Sequence, residues 1–290
     1  MRVTFYLMII LAFSSCSKYL ELDLPFEGTK LVVNGVLVAD QFVDIRVSKT
    51  TPATGPITED LSVQGAQVTL WSGGQPLEIL EDKGGGVYRS EYKPVAGNSY
   101  LVEVYHPDFG QVTSTSQQIP FPLQLTEVDF SIGAVDPLNE DTNTGALRVG
   151  LTDTTLQAYY AIDIQGFSHT EEVFVNAWRL EEAPEVNTSC GFVGGNDTFD
   201  FSKACFNGDL YQTTFGVETT GWLDGEYVEC THLLLSVASI SEEYYRYLET
   251  SVQPEGIDLA FVEPQVVASN VQGGYGIVVA ANSKIVRIDL

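Results

Sequence analysis

The feature that most limits the fold of this chain is the spacing of its apolar residues between Lys30 and Ile288. They recur at every second position in short runs, and glycine-rich turns separate the runs. Side chains on a strand point alternately to opposite faces, so each such run buries one face and wets the other. Residues 42–48 (FVDIRVS) alternate in this way, and residues 66–71 do so again before turning at Ser72-Gly73-Gly74. Residues 31–38 (LVVNGVLV) are apolar on both faces, as a central strand requires. Gly84-Gly85-Gly86 precedes a run at 87–90, and Gly97-Asn98 leads into 99–105. Short strands in this rhythm predict an all-β chain built as a sandwich. The expected organisation is two tandem β-sandwich domains, residues 30–118 and a larger one over 119–290, with one short helix in the second.

Ile119-Pro120-Phe121-Pro122 is the expected joint, because two prolines restrict both themselves and the residues before them. Beyond it, residues 125–132, 146–151, 159–164 and 172–175 alternate, and residues 231–238 (THLLLSVA) read as a buried strand. Residues 181–209 lack periodicity and are rich in Gly, Asn and Asp, which predicts a long excursion. Ser239 and Glu242 have the spacing of a capping box. Ile240, Tyr244, Tyr247 and Leu248 then share a helical face, and Pro254 and Gly256 stop it, giving a helix near 240–251. In residues 269–275, Asn270 is expected in the left-handed region and bonded to its own backbone. Gly273 and Gly274 are expected to take positive φ, with Tyr275 lying across the sandwich end. Residues 276–280 and 284–288 are expected to form a final hairpin.

The first sixteen residues have another character. Arg2 is followed by an apolar run, residues 5–13, then Ser14-Ser15 and Cys16. The run is too short for a permanent bilayer span, which needs about 20 apolar residues, and it fits the apolar region of a secretory signal. Residues 1–15 are therefore expected to be removed and residues 16–29 to form a tether. A small residue followed directly by cysteine resembles the lipobox of bacterial lipoproteins, in which the cysteine is acylated; Phe13 stands where that pattern usually has leucine. The resemblance makes Cys16 the lipidation site. Without residues 1–15, 275 residues remain, and 13 Lys+Arg face 39 Asp+Glu, a formal charge of −26. Such acidity opposes nucleic acid and anionic headgroups, which it would repel.

Cys16 apart, three cysteines remain, enough for one bridge and one spare thiol. Cys190 and Cys205 flank the Gly/Asn/Asp-rich excursion, and joining them would restrict the unfolded chain; Cys205–Cys230 is the alternative. Zinc is not expected, since no CxxC and no suitably spaced histidine accompany them. No catalytic residues are expected either. GxSxG, HExxH, GxGxxG and the P-loop pattern are missing, and His106, His169 and His232 stand apart in sequence. Asp136, Asn139, Asp141 and Asn143 present oxygens at near-alternate spacing, but without the glycine and final glutamate of an EF-hand loop they read as a solvated loop. No cofactor is expected. Trp71, Trp178 and Trp222, with Tyr244, Tyr245 and Tyr247, are the aromatics that could make a sugar- or protein-binding face. Trp178, Trp222 and Tyr275 are the candidate binding residues, against a packing role for each.

The stretches GAQVTLW, GGVYRS and GNSYLVEV look like the small Ig-like or transthyretin-like modules of surface lipoproteins. More broadly, the lipobox with KLVVNGVLV (residues 30–38), SISEEYYRYLE (239–249) and EPQVVASNVQGGYGIVVA (263–280) resembles the Bacteroidota lipoprotein family called domain of unknown function 4249. Its pattern falls on Pro264, Ser269-Asn270-Val271 and Gly273 to Ile277, while Val278-Val279 stand where members often have Phe-Gly. The resemblance implies a β-sandwich lipoprotein of the outer membrane, often encoded near TonB-dependent transporters, and brings no catalytic residues. The expected function is thus a lipid-anchored, non-enzymatic accessory or capture protein beside such a transporter, on either face of the outer membrane. The alternatives are a cell-surface adhesion or assembly module and, with no residue set behind it, an enzyme acting on polysaccharide or peptide.

Overall fold

The computed structural model describes residues 26–52, 60–133, 143–180, 192–193, 198–251 and 266–290. The proposed signal, Cys16, Cys190 and the oxygen-rich positions Asp136, Asn139 and Asp141 lie outside them. The described chain is all-β apart from one α-helix and one turn of 3-10 helix. A ten-stranded sheet contributes to both cores of the described chain, and two smaller sheets cover it. A six-stranded sheet that includes Gln67–Ser72, Ser99–His106 and Gly110–Ser114 faces the first half. A four-stranded sheet of Gln124–Ile132, Thr144–Thr152, Leu210–Glu218 and Ala177–Arg179 faces the second.

Each half encloses its own core. The first is built from inward positions such as Leu31, Val33, Ile45, Val47, Leu70, Tyr88, Tyr100 and Val104. The second is more aromatic, with Tyr160, Phe201 and Phe215 among Leu147, Ile162, Leu233 and Leu235. Residues 119–123 touch both cores. Ile119 is buried in the first core and Leu123 in the second, while Phe121 is exposed.

The end of the chain departs from the expected hairpin. Tyr275–Asp289 is one continuous strand. Its first half pairs in parallel with Leu31–Val38, from Val32↔Tyr275 to Val38↔Ala281. Its second half pairs antiparallel with His232–Ile240, from Ile240↔Ala281 to His232↔Asp289. Ala281 is therefore laddered on both sides, and Asn282-Ser283, the expected turn, are held extended by Ser239 and Ala238. The first core thus draws on residues beyond 118: Ile119 just past it, and Val271, Val278 and Ala280, which return to it from the end of the chain. An all-β fold with a large sandwich in each half follows, but one strand belongs to both.

The helix occupies Glu242–Ser251. Tyr244, Tyr245 and Leu248 lie on Val38, Tyr159, Ala161, Ala238, Ile240 and Ala281, so the helix covers the seam where the last strand changes partners. The capping box does not form. Ser239 stays in the strand, held by its pairing with Asn282 and with Tyr160. Ser241 begins the helix instead, its carbonyl accepting the N–H groups of Tyr244 and Tyr245.

The motif at residues 269–277 also differs from expectation. Gly273 has positive φ, as does Gly276, but Gly274 and Asn270 do not. A Cβ on Gly276 would run into the backbone of Val33, so close approach to the first strand as well as conformation requires glycine there. Asn270 turns its side chain onto the last strand rather than onto its own backbone.

Candidate functional site

Three places in the molecule combine exposure or space with chemistry. The clearest is a small two-stranded flap on the second half, which Phe174 joins by a single bridge. Thr220–Leu223 and Glu226–Glu229 form a hairpin, and Phe174 bridges its first strand through paired hydrogen bonds with Trp222, 3.3 and 3.1 Å. Asp224 and Gly225 both have positive φ, which lets a two-residue turn follow the twist of the strands. Gly221 lets the bridging segment come close, since a Cβ there would lie 2.5 Å from the Phe174 carbonyl oxygen.

The flap has two unlike faces. Val173, Val175, Leu223, Val228 and Cys230 form the inner one and pack with Leu290. The outer one carries Phe174, Trp222 and Tyr227 in successive segments, with 54%, 48% and 63% of their surfaces exposed. The Trp222 and Tyr227 rings are 4.1 Å apart and tilted by 50°. Three large aromatic rings in a row facing water cost hydration free energy that an unliganded surface does not recover, which marks recognition surfaces. The carboxylates are on the same flap. Residues 171–175 and 220–229 include Glu171, Glu172, Asp224, Glu226 and Glu229 and contain no lysine or arginine.

The second place lies under the helix. Asp200 is buried on the strand Thr198–Ser202, opposite Ala161, and its Oδ1 meets no hydrogen-bond partner among the described residues. Burial, reinforced by the charge of Asp163, pushes its carboxyl up to about 7. Burial also raises the Tyr244 and Tyr245 hydroxyls beyond their usual range, with Asp200 contributing to both. The third is a cleft of about 460 Å³ between the joint and the start of the helix, lined by Gln118, Phe121, Gln157, Tyr159, Ser239 and Glu242 among others.

The candidate binding residues do not converge. Trp222 belongs to the outer row of the flap. Trp178 lies in the edge strand of the four-stranded sheet, half-buried, with its indole seated on Gly216. Tyr275 begins the last strand, half-exposed, with the Lys30 ammonium 5.3 Å from its ring centre. Trp71 is half-buried in the first sandwich. Tyr244 and Tyr245 are packed under the helix rather than presented on it.

Phe174, Tyr227 and the carboxylates around them were not singled out by sequence reasoning. Two signals pointed to them. Phe174 is the outward member of the alternation at residues 172–175, and the Asp-Gly pair in WLDGEY is a strong hairpin signature that places an aromatic on each arm.

The cysteines separate into two kinds. Cys205 is disulfide-bonded. Cys230 is a free, buried thiol, pushed up to about 11 by burial and by Glu218, so it takes no part in the bridge and the Cys205–Cys230 alternative is set aside. His232 is buried and stacked on Phe167, rings 5.1 Å apart. Among the described residues no group of three His, Cys, Asp or Glu is placed to hold a metal ion, and no helix is long and apolar enough to cross a membrane.

No curated protein matches the chain. A family model described as Domain of unknown function (DUF4249) matches residues 18–285, which takes in the flap, the helix and the shared last strand as far as Ile285. The chain belongs to that family.

Proposed function

We propose that this protein is a lipid-anchored, non-enzymatic recognition protein of the outer membrane, working beside a TonB-dependent transporter. The observation that carries the reading is the outer row of the flap, Phe174, Trp222 and Tyr227, held out to solvent by a hairpin whose other face is anchored in Val173, Val175 and Cys230. A rigid body presenting exposed aromatics needs no reacting groups to act, because such rings supply most of the binding energy where they dock. What supports the placement is the sequence ahead of the folded body: an apolar run, two serines and Cys16. The dominance of negative charge supports a surface kept clear of anionic polymers and headgroups.

Isolation of complexes from native membranes tests the reading. The intact protein is expected to bring down a transporter-class barrel in near-equal amount, and Trp222→Ala to lose it. Recovery without any such barrel would overturn the transporter partnership. Cys16→Ser is expected to move the protein from the membrane to the soluble fraction, and continued membrane attachment would remove the anchor.

A further inference from the structure

The flap ends in an open edge. In an antiparallel pair, opposite residues alternate between those that exchange backbone hydrogen bonds and those whose backbone groups point away from each other. Trp222 gives both its N–H and its carbonyl to Phe174. Its partner across the hairpin, Tyr227, therefore points its own N–H and carbonyl the other way, beyond the hairpin. The same alternation turns the backbone of Glu229 outward, since Cys230 next to it donates inward to the Thr219 carbonyl, 2.9 Å. No further strand pairs with Glu226–Glu229 among the described residues, and Glu226, Tyr227 and Glu229 are all exposed.

An open edge with free donors and acceptors is a template for one more strand. Its charge says which kind. Glu226 and Glu229 lie on the edge strand itself, with Asp224 in the turn that leads into it. A second copy of this chain would bring the same carboxylates to the same edge, and like charges across a strand pair are destabilising. A segment bearing arginine or lysine would instead meet carboxylates along the edge and the faces of Trp222 and Tyr227 beside them, where a cation gains from the ring quadrupole.

The geometry points to strand addition: the edge Glu226–Glu229 takes up an extended basic segment of a partner protein, with main-chain hydrogen bonds to Tyr227 and Glu229 and a cationic side chain over the Trp222–Tyr227 pair. This rests on the reading of the aromatic row as a recognition surface and names the chemistry of what it recognises.

The test uses the acylated full-length protein in detergent and five probes: a short peptide alternating arginine with valine, its glutamate analogue, the basic peptide N-methylated on one or the other alternate set of amides, and a neutral cello-oligosaccharide. The basic peptide is expected to bind, the glutamate analogue not to, and added salt to weaken the complex. N-methylation in one of its two alternate sets, Trp222→Ala and Glu229→Lys are each expected to weaken it by about tenfold or more. N-methylation leaves the protein untouched, so its result does not depend on how a variant folds. Failure of the basic peptide to bind, or binding indifferent to both methylation sets, overturns strand addition. If only the oligosaccharide binds, and does so through Trp222, the recognition surface stands and the basic partner falls. If no probe binds and Trp222→Ala leaves recovery of membrane partners unchanged, the surface itself falls.

Discussion

The side chain of Asn270 takes both backbone polar groups of Val278: Nδ2 donates to the Val278 carbonyl at 2.6 Å, and the Val278 N–H donates to Oδ1 at 2.9 Å. Both residues are buried, and Val278 lies in the half of the last strand that precedes its pairing with His232–Ile240. A carboxamide has one donor and one acceptor at peptide-like spacing, so Asn270 stands in for the neighbouring strand that Val278 lacks on that side.

Asn270→Ala leaves a buried N–H and a buried carbonyl unpaired, and should lower the unfolding free energy by about 2 kcal/mol or more. Ser269→Ala removes an exposed hydroxyl contact to the Gly276 carbonyl and a long one, 3.5 Å, from the Val271 N–H, and should cost about 1 kcal/mol or less. Denaturant titrations of the two variants check the ordering, and equal losses would mean that the carboxamide does not act as a surrogate strand.

Asp200 makes stability depend on pH in the direction opposite to most carboxylates. Its folded-state value of about 7 lies above the unfolded value near 4, so the native state holds a proton that the unfolded state gives up. Below about pH 4 both states are protonated and the group has no effect. As pH rises from about 4 to 7 the native state loses stability relative to the unfolded one, by up to about 4 kcal/mol, and the loss then levels off. Asp200→Asn, which keeps the shape without the charge, should therefore be more stable than the parent at pH 8 and close to it at pH 4. Thermal melts across that range check the sign.

The thiols should react in two classes. Cys230 is buried and held as a poorly ionised thiol, so alkylation of the native protein should be slow at this position. In denatured, unreduced protein Cys230 should be labelled and Cys205 should not. Peptide mapping by mass spectrometry checks both, and label on Cys205 would refute the bridge.

Trp178 and Trp222 should differ in what their removal damages. Trp178 fills the space over Gly216, and Trp178→Ala should cost about 2 kcal/mol while leaving recognition by the flap intact. Trp222→Ala removes an exposed ring and one cross-strand pair, so about 1 kcal/mol or less is expected, with loss of binding. Unfolding midpoints and binding isotherms on the same preparations separate the two roles.

Apolar runs and glycine turns were enough to make residues 31–38, 159–164 and 231–238 strands, and for 159–164 the buried face was legible from every second residue. Repeated apolar positions say which way a side chain points, and that is a local property of a pleated backbone. Partners are not local. Nothing in residues 276–288 distinguishes a hairpin from one strand shared by two neighbours, because Asn282-Ser283 suits a turn as well as an edge. What decides is the ladder of Leu31–Val38 on one side and His232–Ile240 on the other, segments far away in the chain. The same holds for Ser239, whose capping spacing to Glu242 is outweighed by its place between Tyr160 and Asn282. Likewise Phe174 and Tyr227 become a row with Trp222 only because a bridge and a hairpin set three segments side by side. Sequence alone determined that the chain would be a β-protein with buried and wet faces; pairing across long separations decided which of those faces would be left open.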